Sequence, residues 1–231
     1  MKPTMTVAQP SAPIALALLS LSLSMLLAAL GTSIVNVGLP TLAEAFDASF
    51  QQVQWVLIAY LLAITTLIVS VGRLGDKLGR RRLLLSGIAL FTFASALCGL
   101  APSLGVLIGA RALQGLAAAI MMALTMALVG ESVPKASTGS AMGLLGTMSA
   151  VGTAMGPSLG GLLIDGFGWR AMFLVTVPLG LLTWLLAYRY LPAESPKPTF
   201  ARGGFDLPGT VLLALTLGAY ALAMTLGRGT F

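Results

Sequence analysis

Long apolar stretches separated by short polar clusters dominate this chain. The apolar runs cover Ile14 to Val37, Val53 to Val71, Leu83 to Ala101, Leu104 to Val129, Ser140 to Ile164, Ala171 to Leu191 and Pro208 to Leu226. Each is near or above the roughly 20 residues that cross a bilayer as helix. Hydrocarbon offers a backbone no hydrogen-bonding partner, so such runs are predicted to be helices, with the Gly, Pro and charge clusters between them as turns. The pattern predicts an all-α polytopic membrane protein with seven spans. The first run follows a short polar segment containing Lys2. It far exceeds the about 7–15 apolar residues of a secretory leader and reads as a retained first helix.

Charge then sets the orientation. With 57% hydrophobic and 9% charged residues, a soluble domain of 231 residues could not hide its apolar surface. Lys2, five cations in the 72–82 cluster, Lys135, Arg189, Lys197 and Arg202 all fall on one side of the predicted spans. Arg170 and Arg228 fall on the other, so the positive-inside rule places the amino terminus in the cytoplasm and, with seven spans, Phe231 outside. The net charge of +6 would point to nucleic acid in a soluble chain. Here it is a topology signal, and the bilayer, not nucleic acid, is the expected partner. Cys98 is the single cysteine and histidine is absent, so neither a disulfide nor a Cys/His metal site is available within the chain. No phosphate-binding Gly-Lys-Ser/Thr loop occurs. No cofactor, metal or enzymatic activity is expected.

Three polar or glycine-rich patterns interrupt the apolar background. The cassette Gly72 to Arg82 concentrates charge and is expected to be a short loop between the second and third helices. Its glycines permit tight turning, and Asp76 can pair with a cation or cap a helix. Gly72, Asp76, Gly79, Arg80 and Arg81 read as a conformational latch, against a plain topogenic basic loop as the alternative. Gly72, Leu74, Asp76, Gly79 and Arg81 recur 89 residues later as Gly161, Leu163, Asp165, Gly168 and Arg170. The two copies fall on opposite membrane faces, as a duplicated and inverted three-helix unit requires.

In the fourth span, Leu107-x3-Arg111-x2-Gln114-Gly115 places a charge roughly 10 Å below the outer end of the helix. Arginine at that depth needs a wet cavity or a partner, and is a functional candidate for that reason; snorkelling to the outer interface is the alternative. Gln114 lies one turn away on the same face. In the fifth span, Gly152, Gly156 and Gly160 form one stripe that lets a neighbouring backbone approach, while Pro157 introduces a bend and Gly161 follows.

The 72–82 cassette resembles the loop between the second and third helices of the major facilitator superfamily. The Arg111 segment resembles that family's fourth-helix motif, and Gly152 to Gly161 its fifth-helix antiporter motif. Gln54, Trp55 and Tyr60 in the second span, Gly168-Trp169-Arg170 to Pro178 in the sixth, and Phe205-Asp206-x-Pro208-Gly209 before the seventh are similar to the fourteen-helix drug:proton antiporter branch. The resemblance implies a six-helix bundle of 3+3 inverted repeats plus a seventh helix. The expected layout is a cytoplasmic tail over 1–13, the bundle over 14–191, a cytoplasmic connector over 192–207, and the seventh helix with a truncated end over 208–231.

It further implies a proton-coupled secondary exporter of hydrophobic or amphipathic small molecules in a cell membrane, with short loops suiting a bacterial inner membrane. Arg111 and Gln114 are implied in proton coupling, and Gly152, Gly156, Pro157, Gly160 and Gly161 in antiport. Thr32, Asn36, Gln54, Trp55 and Tyr60 are candidates for the substrate path, and Asn36 fits a helix-to-helix hydrogen bond equally well. Two departures stand out. The branch carries a first-helix aspartate where this chain has Gly31, and no carboxylate lies in the middle of any span. The family also has two bundles, so the expected partner is a missing carboxy-terminal half or a second copy. A homodimeric half-size carrier and a non-transporting membrane protein are the alternatives. Seven spans also suit a retinal pump, but the seventh span has no lysine and no acidic counter-ion.

Overall fold

A computed structural model describes residues 12–192 and 207–227. The expected amino-terminal tail up to residue 11, nearly all of the expected connector and the last four residues lie outside the described residues. The elements are α1 (Ala12–Ala45), α2 (Phe50–Leu78), α3 (Arg80–Gly99), α4 (Leu104–Ser132), α5 (Thr138–Phe167), α6 (Ala171–Leu174), α7 (Thr176–Tyr190) and α8 (Leu207–Gly227). Among the described residues, α1, α2, α3, α4 and the joined α6–α7 segment are long and apolar enough to cross a membrane. Helix α5 has the length, but eight glycines dilute its hydropathy. It packs as the remaining member of the bundle, most extensively on α1.

Three boundaries differ from those expected. The 72–82 cassette is helical, not a loop: α2 continues through Leu78 and α3 begins at Arg80, leaving only Gly79 between them. Gly79 turns the chain at φ 94°, a left-handed value that favours glycine. The charges therefore decorate two abutting helix ends. The sixth span divides at Val175 because Pro178 lacks an N–H and its ring crowds the carbonyl four residues back, at Leu174. Helix α1 extends past Val37, through Pro40, to Ala45.

The packing follows the exchange of the two three-helix units that the repeated motif predicts. Helix α1 lies on α5 as α4 lies on α2, and α1 lies on α7 as α4 lies on α3. The contacts of α1 with α4 and of α3 with α7 map onto themselves under the same exchange. Among the described residues, the two glycines with positive φ are Gly79 and Gly168, which stand 89 residues apart, matching the offset of the repeated motif. Helix α8 lies outside this scheme, against α2. The interior divides into two clusters, one built around Leu84, Ile88, Phe91 and Leu124, the other around Leu39, Leu42, Leu107 and Phe173. Helix α1 contributes its first half to one cluster and its second half to the other, as a helix crossing the full bilayer does.

The α1–α5 crossing depends on glycine. A Cβ at Gly152 would stand 2.7 Å from the Leu26 carbonyl oxygen and 3.1 Å from Ala29 Cβ, and one at Gly160 would stand 3.0 Å from the Ile34 carbonyl oxygen. At Gly156 it would collide with Ser33 Oγ and lie 2.9 Å from the Ile34 nitrogen. Ser33 Oγ donates to the Gly152 carbonyl at 3.0 Å, fastening the crossing through the atoms the glycines expose. Gly161 faces away, with nothing within 4 Å of an added Cβ. Gly156→Ala is expected to lower stability by about 1–3 kcal/mol through overpacking. Gly161→Ala is expected to be neutral or stabilising by up to about 1 kcal/mol. Unfolding of purified variants in mixed micelles measures the difference.

Candidate functional site

The central feature is Arg111 on α4, with 0% exposure. Its Nε donates to the Val56 carbonyl of α2 at 3.1 Å, and its Nη1 donates to Gln114 Oε1 at 2.6 Å. Gln114 Nε2 in turn donates to Ser95 Oγ of α3 at 2.7 Å, and Ser95 donates to the Phe91 carbonyl. The guanidinium carbon lies 4.0 Å from the centre of the Tyr60 ring and 5.9 Å from that of Phe173. Elements α2, α4 and α6 thus meet at one cation, and α3 joins them through Gln114. Nη2 has no hydrogen-bond acceptor among the described residues. The arginine neither snorkels to the interface nor faces an open cavity. A planar, weakly hydrated guanidinium lying flat on an aromatic face gains attraction from the ring quadrupole, which partly offsets its lost hydration.

Tyr60, a candidate for the substrate path, lies beneath Arg111 and is fully buried. Its hydroxyl donates to the Ala28 carbonyl of α1 at 2.8 Å, tying α1 to the arginine-bearing pair. One turn along α4, Gly115 lets the Tyr60 backbone come close: a Cβ there would collide with the Tyr60 carbonyl oxygen and stand 2.9 Å from Ala63 Cβ. The other path candidates stay nearer the surface. Asn36 is exposed, and Thr32, Gln54 and Trp55 are half-buried. Thr32 Oγ1 donates to the same Ala28 carbonyl at 3.1 Å. A separate shallow concavity, lined by Leu163, Phe167, Arg170 and Leu174 at the ends of α5 and α6, contains none of these residues.

The latch candidates separate in the same way. Arg80 donates to Asp76 Oδ1 at 2.7 and 3.0 Å and to Glu131 Oε1 on α4 at 3.1 Å, so α2, α3 and α4 meet at one guanidinium. These side chains are about a third to a half exposed. Each pair therefore contributes under about 1 kcal/mol, weak enough to break and reform. Arg81 belongs to another contact: it donates to the Tyr188 and Leu191 carbonyls at 2.6 and 3.1 Å, serving the end of α7. Gly72 is exposed with nothing near it, whereas Gly75 is the crowded glycine, 2.5 Å from Leu124 Cδ2 for an added Cβ.

Glu131, Ser95, Ser33 and Phe173 were not singled out by sequence. Glu131 carried a signal, an acid in the last turn of α4 on the side that bears the Arg80 cluster. The serines and Phe173 carried none, because their types are ordinary in apolar helices. No group of three or more His, Cys, Asp and Glu residues gathers among the described residues.

Comparison with known proteins agrees with this architecture. The family model described as Major Facilitator Superfamily matches residues 21–229. The riboflavin transporter RibZ of Clostridioides difficile is 34% identical, across 90% of this chain and 45% of the relative. The multidrug resistance protein Stp of Mycobacterium tuberculosis is 39% identical, across 92% and 39%. The multidrug efflux pump LfrA of Mycolicibacterium smegmatis is 40% identical, across 87% and 39%. The chain therefore spans less than half the length of these curated relatives. Among solved structures, a bacterial homologue of the human lysosomal transporter Spinster, inward-facing and occupied, superposes with a TM-score of 0.72 at 18% identity. It covers 84% of this chain and 47% of that one.

The geometry at Arg111 makes a stability prediction. Lysine cannot lie flat on Tyr60 while also donating to Val56 and Gln114, so Arg111→Lys is expected to cost about 3 kcal/mol or more. Arg111→Met, which brings no buried charge, is expected to cost less. Unfolding of the two variants in mixed micelles decides the order.

Proposed function

The chain belongs to the Major Facilitator Superfamily, and we propose that it is the amino-terminal half of a proton-coupled secondary exporter of hydrophobic or amphipathic small molecules. It is a multi-pass membrane protein, and the cation distribution supports a cytoplasmic amino terminus in a bacterial inner membrane. The relatives named as multidrug pumps support export, and the riboflavin transporter among them supports a broader range of cargo. The observation that carries the reading is the buried, carboxylate-free Arg111 joined to α2, α3 and α6, one turn from the close α2–α4 approach at Gly115. A charge held so tightly at a helix crossing is sensitive to any change in the packing of those helices, which is what coupling to rocking motion needs.

In this reading Arg80, Asp76 and Glu131 form a latch on the cytoplasmic side that is remade in each cycle. The glycine stripe of α5 is the close-packed crossing about which α1 and α5 adjust, and Asn36, Thr32, Gln54 and Trp55 border the route of the cargo. The other half of the path is supplied by a second bundle, either the remainder of a longer protein or a second copy of this chain.

Energised efflux of fluorescent amphiphiles from cells expressing the chain, alone and with a carboxy-terminal bundle, tests this. Export that collapses on adding a proton uncoupler is expected once both bundles are present. Arg111→Ala is expected to abolish that component while membrane insertion persists. Efflux that is indifferent to the uncoupler would contradict proton coupling, and undiminished efflux by the variant would remove Arg111 from the mechanism.

A further inference from the structure

The charge balance inside the bundle bears on what it carries, an inference that rests on the transporter reading above. Among the described residues, Arg111 is the charged side chain held well within a span. The acids lie at helix ends or beyond them: Glu44, Asp76, Glu131 and Asp165 in final turns, Asp47 after α1. Among the described residues, no carboxylate pairs with Arg111 and its Nη2 donor finds no acceptor. The hydrogen bonds to Val56 and Gln114 and the Tyr60 ring solvate the cation without neutralising it. In a low-dielectric interior, an unneutralised charge acts over a longer range than it does in water.

The cation is also linked to the open face of α1. The Ala28 carbonyl accepts from both the Tyr60 hydroxyl, at 2.8 Å, and Thr32 Oγ1, at 3.1 Å. Thr32 is half-buried and lies one turn from exposed Asn36. A single carbonyl therefore joins the ring beneath Arg111 to the face lined by Thr32 and Asn36. Beside it sits Gly31, where an added Cβ would stand 3.2 Å from the Tyr60 hydroxyl and 3.2 Å from Phe91 Cζ. A side chain that could bring a carboxylate to this cluster is absent at that position.

We propose that the unneutralised Arg111 makes this bundle discriminate by the sign of charge, taking anionic amphiphiles in preference to cationic ones of the same shape. Tyr60 is the positioning residue that holds the cation against α1 and α2, and Gly31 is the position that leaves it unbalanced. The shared body of the ligand is read by the apolar face. The sign is read by the field of the guanidinium.

Tetraphenylborate and tetraphenylphosphonium have the same four-ring body and opposite charge, so they isolate the sign. Their binding to the full 231-residue chain in lipid nanodiscs, corrected for protein-free nanodiscs of the same lipid, is the measurement. Tetraphenylborate is expected to bind at least about tenfold more tightly, the discrimination a unit charge produces over several ångströms of protein interior. Gly31→Asp is expected to remove that preference. Gly31→Asn, with the same shape and no charge, is expected to keep it, and Arg111→Met, which leaves Gly31 untouched, is expected to abolish it. Equal binding of the two ions, a preference for the cation, absence of binding by either, or a preference that survives Arg111→Met would overturn the proposal. Uncoupler-sensitive efflux accompanied by sign-blind binding would leave the transporter reading standing and remove only the selectivity.

Discussion

A guanidinium enclosed in a membrane bundle, with no carboxylate against it among the described residues, is the constraint on which the rest of the arrangement depends. Burying an ion this way costs several kcal/mol unless the site solvates it. The site does so with parts drawn from different helices: the Val56 carbonyl and Tyr60 ring from α2, Gln114 from α4 itself, Ser95 from α3 and the Phe173 ring from α6. None of these contributions suffices alone. Their joint requirement fixes how α2, α3 and α4 sit against one another. The Tyr60 hydroxyl then passes that requirement to α1 through the Ala28 carbonyl. Because the links are hydrogen bonds and ring contacts in an apolar setting, a shift of one helix is felt at the charge.

The same repeat builds two close crossings from different residues. On α5, Gly152 meets the Leu26 carbonyl of α1, and on α4, Gly115 meets Ala63 of α2. Positions 26 and 115, and positions 63 and 152, are each separated by the 89-residue offset of the repeat. The small residue has changed partner between the copies, yet a close backbone approach is kept at the equivalent place. The α1–α5 crossing extends the contact over two further turns with Gly156 and Gly160, whereas the α2–α4 crossing is reinforced by Arg111. One half of the bundle is held by tight packing and the Ser33–Gly152 hydrogen bond, the other by packing plus a buried charge.

Most of the architecture was legible because hydrocarbon leaves so few options. Apolar run length gave the helices, and the motif repeated at an offset of 89 residues gave the inverted pairing that the packing displays. Boundaries were less legible. A dense run of charges reads as a loop, but helices continue past the hydrocarbon, and here only Gly79 breaks them. Arg111 and Gln114 were identifiable from their polarity alone. Their environment was not, since Tyr60 and Phe173 reach Arg111 from 51 and 62 residues away in the sequence, and Ser95 reaches Gln114 from 19. Tyr60 became a path candidate through the family resemblance, and its residue type alone does not announce that its ring lies against Arg111. Gly72 and Gly75 cannot be told apart by type, and only the neighbouring Leu124 shows which one is crowded.

The claim that Arg111 is held by the Tyr60 ring, and not merely buried beside it, is tested most directly by a double-mutant cycle. Tyr60→Leu, Arg111→Met and the pair would be unfolded reversibly in mixed micelles. A coupling of about 1–2 kcal/mol is expected, the range of a desolvated cation–π contact. Additive losses, with no coupling beyond error, would contradict it.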